Sequence, residues 1–330
     1  MPAPPRAPAR PPSPARAVST RATAAMALAL AAASCGGAGA RPESAEAPLA
    51  VWTAASIARP VRAALDSFTA RTGVATRLEV QSSLELARRM TELGETPDVL
   101  LLADRAVFPA LLAPAHVERW TVFARNRIVV AWSPRSRHAA EFAGSARWWE
   151  ILERPGVEVG RADPATDPSG YRTLLVFQLA ERHYRVPGLA RRLLAAAPER
   201  NVRPREADQI PLVEAGELDY VWTYENLARN AGLPYQVLPG AVDLGTLAES
   251  TGYAAARLRV PGRTRRDSIP ITGAPIAYAL AVPRAAPRPD GARRLADFLL
   301  GPDGRRILRM TALDAIERPV VESLPPATSR

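Results

Sequence analysis

The chain has 330 residues, 47% apolar and 23% charged, which is enough to build two ordinary domain cores and too apolar for bulk disorder. Its formal net charge of +10 is carried entirely by arginine, and its single cysteine excludes a disulfide framework and a cysteine-based metal site. The basic excess is thinly spread, and the run Arg263-Thr264-Arg265-Arg266 reads as a solvated loop, so the clustered basic face that nucleic-acid binding requires is missing.

The first 35 residues set the compartment. Arg6, Arg10, Arg16 and Arg21 stand in a stretch with no acidic residue, and a short apolar run from Ala24 to Ser34 ends at Cys35-Gly36-Gly37. A charged region, an apolar region too short to span a bilayer and small residues before the cysteine make an export signal. The segment resembles a bacterial lipoprotein signal, which implies that Cys35 is lipidated and becomes the first mature residue. Ala32 departs from that pattern, which prefers Leu there. An ordinary secretory signal with an incidental cysteine is the other reading.

After a linker over residues 36–47, Leu49 to Ala54 reads as a strand. Ser56 then precedes Val61, Ala64, Leu65 and Phe68 at helical spacing, with a stop at Gly73. Residues 74–80 form a second strand. Ser83 precedes a helix carrying Leu86, Ala87, Met90 and Leu93, stopped by Gly94. Residues 98–103 are an apolar run of the kind buried in a parallel sheet. Ile128 to Trp132 is another strand, ended by Ser133-Pro134. The alternation restarts with a strand at 157–160, a helix at 169–184, and a strand at 218–224 with a helix behind it. Residues 275–282 form a late apolar strand, followed by amphipathic helices near 292–300 and 305–313. The alternation predicts α/β architecture with two doubly wound lobes and a cleft between them. The expected crossings lie near Ser133 and Ile271, giving a first lobe of 48–132 with 272–330 and a second of 133–271.

Ligands of doubly wound sheets bind beyond the carboxyl ends of the strands, where helix N-termini present unpaired N–H groups and a positive dipole end. Three segments have that placement: Thr53-Ala54-Ala55-Ser56, Gln81-Ser82-Ser83, and the stretch from Asp163 to Gly170. Ser56 and Ser83 would add hydroxyls there; the other reading of each serine is a helix cap and nothing more. Asp167-Pro168 has the form of an N-cap followed by proline at the first helical position. On composition alone Glu206 is a surface carboxylate, and Tyr224 belongs to either core or rim.

The stretch from Asp167 to Glu181, DPSGYRTLLVFQLAE, resembles the signature segment of the molybdate/tungstate-binding receptors of ABC importers, in the subgroup best known from archaea. Ala55-Ser56, Ser83 with Ala87-Arg88 and Thr91 to Gly94, Pro97-Asp98-Val99-Leu100, Phe123 to Val129, Trp149 to Leu152, Glu214 to Tyr220 and Phe298 to Leu300 also match, so the resemblance runs from about residue 49 to 320. It implies a type II periplasmic-binding-protein fold and a ligand of molybdate or tungstate, with no cofactor. It further implies an ABC permease with a cytoplasmic ATPase as partner, a monomer outside the cytoplasm, and membrane contact only through the lipid anchor. Carried over residue by residue, Ala55, Ser56 and Ser83 hold oxyanion oxygens from the first lobe. Asp167 with Pro168 and Ser169, Glu206, and Tyr224 form the second-lobe half. Ala55 stands where glycine is common, and the segment between Asp167 and Glu206 is shorter than in the archaeal proteins.

Two carboxylates facing a dianion look electrostatically wrong, since like unit charges a few ångströms apart repel by roughly 1 kcal/mol in water, and more when buried. The arrangement makes sense if Asp167 and Glu206 bind the metal centre, because molybdenum and tungsten expand beyond four ligands where sulfur and phosphorus do not. Ionised acids are costly to bury alone, so an open cleft with both acids wet is expected before ligand arrives. A receptor for ferric iron or another anion is the first alternative, although no adjacent tyrosine pair is present. An enzyme on the same fold is the second; His116, His138 and His183 fall in separate segments without metal-ligand spacing, and no nucleophile or phosphate-loop motif accompanies them.

Overall fold

The structure of the chain, a computed structural model, describes residues 47–261 and 267–324. The leader with Cys35, nearly all of the linker and the run Arg263-Thr264-Arg265-Arg266 lie outside the described residues. In the first lobe, β1 (Leu49–Ala54) is buried along its whole length and leads through a turn at Ala55–Ile57 into α1 (Ala58–Thr72). α1 buries Val61, Ala64, Leu65 and Phe68 and ends at Gly73, whose φ of 72° is the left-handed value that glycine adopts without strain. β2 (Thr76–Gln81) and β3 (Val99–Leu102) flank β1 in parallel, and α2 (Ser83–Glu92) connects them. β3 is an unbroken buried Val-Leu-Leu-Leu run, as a strand covered on both faces requires. The chain then forms β4 (Arg119–Arg125).

Only Asn126 and Arg127 separate β4 from β5 (Ile128–Trp132), and β5 pairs in a different sheet. The first crossing therefore falls at 126–127, not near Ser133, and Ile128–Trp132 belongs to the second lobe. Apolar strands on both sides of the crossing leave no composition change for a sequence reading to find. Beyond β5 come the short helices α3 (Ala139–Phe142) and α4 (Trp148–Leu152), then β6 (Val159–Ala162) and the long α5 (Pro168–Tyr184). α6 (Leu189–Ala196), β7 (Val202–Arg203) and α7 (Ile210–Ala215) follow, then β8 (Tyr220–Tyr224), α8 (Glu225–Ala231) and β9 (Tyr235–Val237). The second sheet has the order β7-β6-β8-β5-β9, with β5 antiparallel to β8. After α9 (Ser250–Tyr253), β10 (Arg257–Pro261) and β11 (Ser268–Thr272) pair as a separate antiparallel ribbon.

The chain returns to the first sheet with β12 (Ala277–Ala281), packs α10 (Pro289–Leu300) and α11 (Pro302–Met310) on it, and ends in β13 (Asp314–Ser323). The first sheet is ordered β13-β4-β12-β3-β1-β2. Its β2-β1-β3 half is parallel, as the strand-helix alternation predicts, and its other half is antiparallel: β4 leaves for the other lobe, β12 returns from it between β3 and β4, and β13 comes back along β4 after α11. β4 and β13 went unread in the sequence. β13 is an edge strand interrupted by Glu317-Arg318-Pro319, with a register shift between Ala315 and Val320. Asp98, fully buried ahead of β3, accepts hydrogen bonds from the backbone N–H groups of Ala50 (2.7 Å) and Arg288 (2.7 Å) and pairs with the Arg288 guanidinium at 2.6 Å. It thereby ties the start of α10 to the sheet.

Candidate functional site

The second-lobe half is built at the start of α5. Asp167 is the N-cap: its Oδ1 accepts from the Ser169 N–H at 2.9 Å, and Pro168 occupies the first turn without losing a hydrogen bond. Gly170 permits the helix to begin this close to the preceding loop, since a Cβ there would lie 2.5 Å from the Asp163 carbonyl carbon and 2.6 Å from the Ala162 oxygen. The second Asp167 oxygen accepts from the Glu206 N–H at 3.2 Å, which places the two acidic residues side by side. Glu206 opens the turn Glu206–Gln209. Its Oε1 accepts from Thr223 Oγ1 at 2.6 Å and from the Tyr224 N–H, both at the end of β8. Glu206 Oε2 and Ser169 Oγ are buried without a hydrogen-bond partner among the described residues.

The first-lobe half comes from the two helix starts predicted. Ser56 lies in the turn between β1 and α1 and makes no cap; its Oγ accepts from Tyr278 Oη at a long 3.5 Å. Ser83 is not the cap of α2 either. Ser82 fills that role in a reciprocal capping box with Glu85, and Ser83 follows with its Oγ accepting from the Ala103 N–H at 2.9 Å. Ala55 is buried beside Ser56, and the turn Ala55–Ile57 packs against the turn Glu206–Gln209 across the cleft. The structure therefore brings Ala55, Ser56, Asp167, Ser169 and Glu206 into one interlobe region, with Ser83 at the adjacent helix start and Tyr224 beneath Glu206.

The lobes are closed on this region. Asp167 is 5% exposed and Glu206 0%, so the expectation of wet acids describes an opened cleft and not this conformation. Several residues that hold the closure had no role in the sequence reading. Asn126, at the crossing, donates through Nδ2 to Asn226 Oδ1 (2.7 Å) and to Tyr278 Oη (2.8 Å), and Asn226 donates to the Ser56 carbonyl at 2.6 Å. Arg172, one turn into α5, donates through Nη1 to the Ala103 carbonyl (2.7 Å) and to Tyr224 Oη (2.6 Å) and pairs with Asp104 at 3.0 Å. Arg172 stood inside the quoted signature, and Asp104 stood just past the carboxyl end of a predicted strand. That position was the one local signal that could have drawn attention to it.

Burial dominates the electrostatics. It pushes the Asp167 carboxyl up to about 6, against the lowering effect of the Ser169 and Glu206 N–H groups and of the Arg172 charge. Burial, and then repulsion by Asp167, holds Glu206 well above the usual carboxylate range. Burial likewise raises the Tyr224 and Tyr278 hydroxyls, which stay neutral donors and acceptors. Burial opposes the charge on Arg172 as well, yet Asp104 and its tyrosine neighbours hold it above its ordinary value, so it remains a cation. The site thus has one fixed cation and a pair of acids that resist ionising together.

Comparison with known proteins gives concordant matches. The profile of a family described as bacterial extracellular solute-binding protein matches residues 49–311. A solute-binding protein of Petrotoga mobilis is 39% identical over 241 residues, covering 73% of this chain and 75% of that protein. The molybdate/tungstate-binding protein WtpA of Pyrococcus abyssi is 30% identical over 262 residues, covering 73% of this chain and 75% of the relative. Among solved structures, the periplasmic molybdate-binding protein of Azotobacter vinelandii superposes with a TM-score of 0.58 at 16% identity, over 80% of this chain and 98% of that one. At that identity the superposition establishes the two-lobe fold and nothing finer.

Proposed function

The chain belongs to the family of bacterial extracellular solute-binding proteins, and we propose that it captures molybdate or tungstate and delivers it to an ABC permease. The observation that carries the reading is the buried pair Asp167 and Glu206, joined at 3.2 Å through the Glu206 N–H, with one Glu206 oxygen free of any hydrogen bond among the described residues. A pocket for a tetrahedral anion that bound only through its oxygens would be lined by donors. Here one Glu206 oxygen, beside Asp167, is buried without a hydrogen-bond partner among the described residues, which suits an electrophilic metal centre able to take further oxygen ligands.

In this reading Ser56, Ser83, Ser169 and the N–H groups at Ala55 and the start of α5 hold the oxygens. Pro168 shapes the helix start, and Tyr224 orients Glu206 through its N–H while its hydroxyl is held by Arg172. Asp167 and Glu206 contact the metal centre and supply selectivity against sulfate and phosphate. The action is binding and release without catalysis. The oxyanion contacts both lobes, favours the closed form by its differential affinity, and the closed form docks on a permease driven by a cytoplasmic ATPase. The basic-then-apolar leader ending at Cys35 supports export and tethering through lipidation of that cysteine. None of the helices among the described residues is long and apolar enough to cross a membrane.

The test is calorimetric titration of the mature protein with molybdate, tungstate, sulfate and phosphate, in parallel with Glu206→Gln and Asp167→Ala. Glutamine keeps an acceptor for Thr223 and Tyr224 but removes the carboxylate. Losing one partner of a buried charged contact costs about 2–5 kcal/mol, so molybdate should weaken about 30-fold or more while any weak sulfate binding stays unchanged. Equal heats from sulfate and molybdate in the wild type would sink the metal-centre reading.

A further inference from the structure

We infer that Asp104 and the Tyr171–Arg172 pair form a closure latch that sets how long the cleft stays shut, separately from the residues assigned to the oxyanion. Asp104 stands on the first lobe just beyond β3, while Tyr171 and Arg172 lie in the first turn and a half of α5 on the second. Arg172 Nη2 pairs with Asp104 Oδ1 at 3.0 Å, Tyr171 Oη donates to Asp104 Oδ2, and Arg172 Nη1 donates to the Ala103 carbonyl at 2.7 Å. All three bonds cross between lobes, and all three side chains are buried, at 6%, 1% and 4% exposure. Opening the cleft must break them together.

Asp104 is prepared for this role before the lobes meet. Its Oδ1 also accepts from the Ala106 N–H at 2.8 Å within its own lobe, so the carboxylate is aimed without help from α5. An acceptor already held in place loses little side-chain freedom when the lobes close. Arg172 is also oriented within its own lobe, by Tyr224 Oη at 2.6 Å. A desolvated, hydrogen-bonded ion pair acts mainly on dissociation and not on encounter, so the latch governs the lifetime of the closed state.

The inference shares the two-lobe cleft with the proposed function, but its first test needs no ligand. Asp104→Asn keeps the Oδ1 acceptor for Ala106 and removes the charge. Tyr171→Phe removes a single hydroxyl. Interlobe distance would be followed in ligand-free protein by energy transfer between dyes on the two lobes, and molybdate release by stopped-flow tryptophan fluorescence. The latch requires a smaller closed fraction in both variants. It also requires release about tenfold or more faster in Asp104→Asn, with the association rate within a few-fold of wild type and the circular dichroism of the folded protein retained. Unchanged closed fraction and release in both variants would reduce Asp104 to a turn former and overturn the inference. Should Asp104→Asn fail to fold, Tyr171→Phe decides by the same readings. Absence of molybdate binding in the wild type would defeat the proposed ligand but leave the ligand-free comparison to decide the latch.

Discussion

Replacing Asp167 by asparagine should change how closure of the ligand-free cleft depends on pH. In the closed form burial raises the Asp167 carboxyl from 3.8 to about 6, whereas in an opened cleft water restores its ordinary value. The closed form therefore holds the proton more tightly. Closure is easiest below about pH 4, becomes harder as pH rises towards 6, and reaches a plateau above that. Two pH units at about 1.4 kcal/mol each amount to about 3 kcal/mol, or about a 100-fold fall in the closed-to-open ratio from this one acid. The charged groups near Asp167 include Glu206, Arg172, Arg205 and Glu85; Glu206 is raised too and shifts closure in the same direction, while Arg172 opposes both and Arg205 also attracts the Asp167 charge. The neutral amide of the variant would still cap α5 by accepting from the Ser169 N–H, and its contact with the Glu206 N–H lies within one lobe, so neither effect alters the closing step. Interlobe energy transfer from pH 4.5 to 8.5 should show the wild type opening as pH rises. The Asp167→Asn variant should have a shallower profile and more closed protein at pH 8. Superimposable profiles, or a wild type that closes as pH rises, would refute the reasoning.

Two substitutions probe the frame that holds the site. Gly170→Ala places a methyl within 2.6 Å of backbone atoms of Ala162 and Asp163, which cannot move as a flexible side chain could. It should cost about 1–3 kcal/mol in urea unfolding and weaken oxyanion binding by displacing the Asp167 cap; wild-type values for both would show that the helix start tolerates a shift. Asp98→Ala strips a fully buried carboxylate from Arg288 and from the Ala50 N–H. It should destabilise the protein by about 3 kcal/mol with little change in ligand selectivity, and a calorimetric melting temperature equal to wild type would contradict the assigned role.

The chemistry of the site explains why it lies at helix starts. The serine of a strand-to-helix turn is close to unpaired N–H groups whatever its neighbours are, so Ser56 and Ser83 stood out by position. Which serine caps was decided by a detail three residues away. Ser82 with Glu85 makes the reciprocal box, and this frees Ser83 to accept from Ala103 on the neighbouring strand connection. A reading restricted to the run before the helix had no means of separating the two.

Local periodicity carried the strand-helix alternation, the buried β3 run, the Asp167-Pro168 start of α5 and the glycine stop of α1, because each depends on residues within about one turn of one another. Glu206 was different. Nothing near it marks a buried acid, and it entered the candidate site through resemblance and its spacing to Tyr224. Only the tertiary structure shows its Oε1 taken up by Thr223 and Tyr224 and its N–H held by Asp167. The crossing at Asn126-Arg127, the antiparallel half of the first sheet and the pairing of Asp104 with Tyr171 and Arg172 were likewise settled only in three dimensions. Those features join segments far apart in the chain, as in the pairing of Arg119 with Ser323 between β4 and β13 and the bond from Asn126 to Tyr278. Side-chain chemistry determines what each helix start can bind, but which starts meet across a cleft depends on how the chain crosses between two sheets.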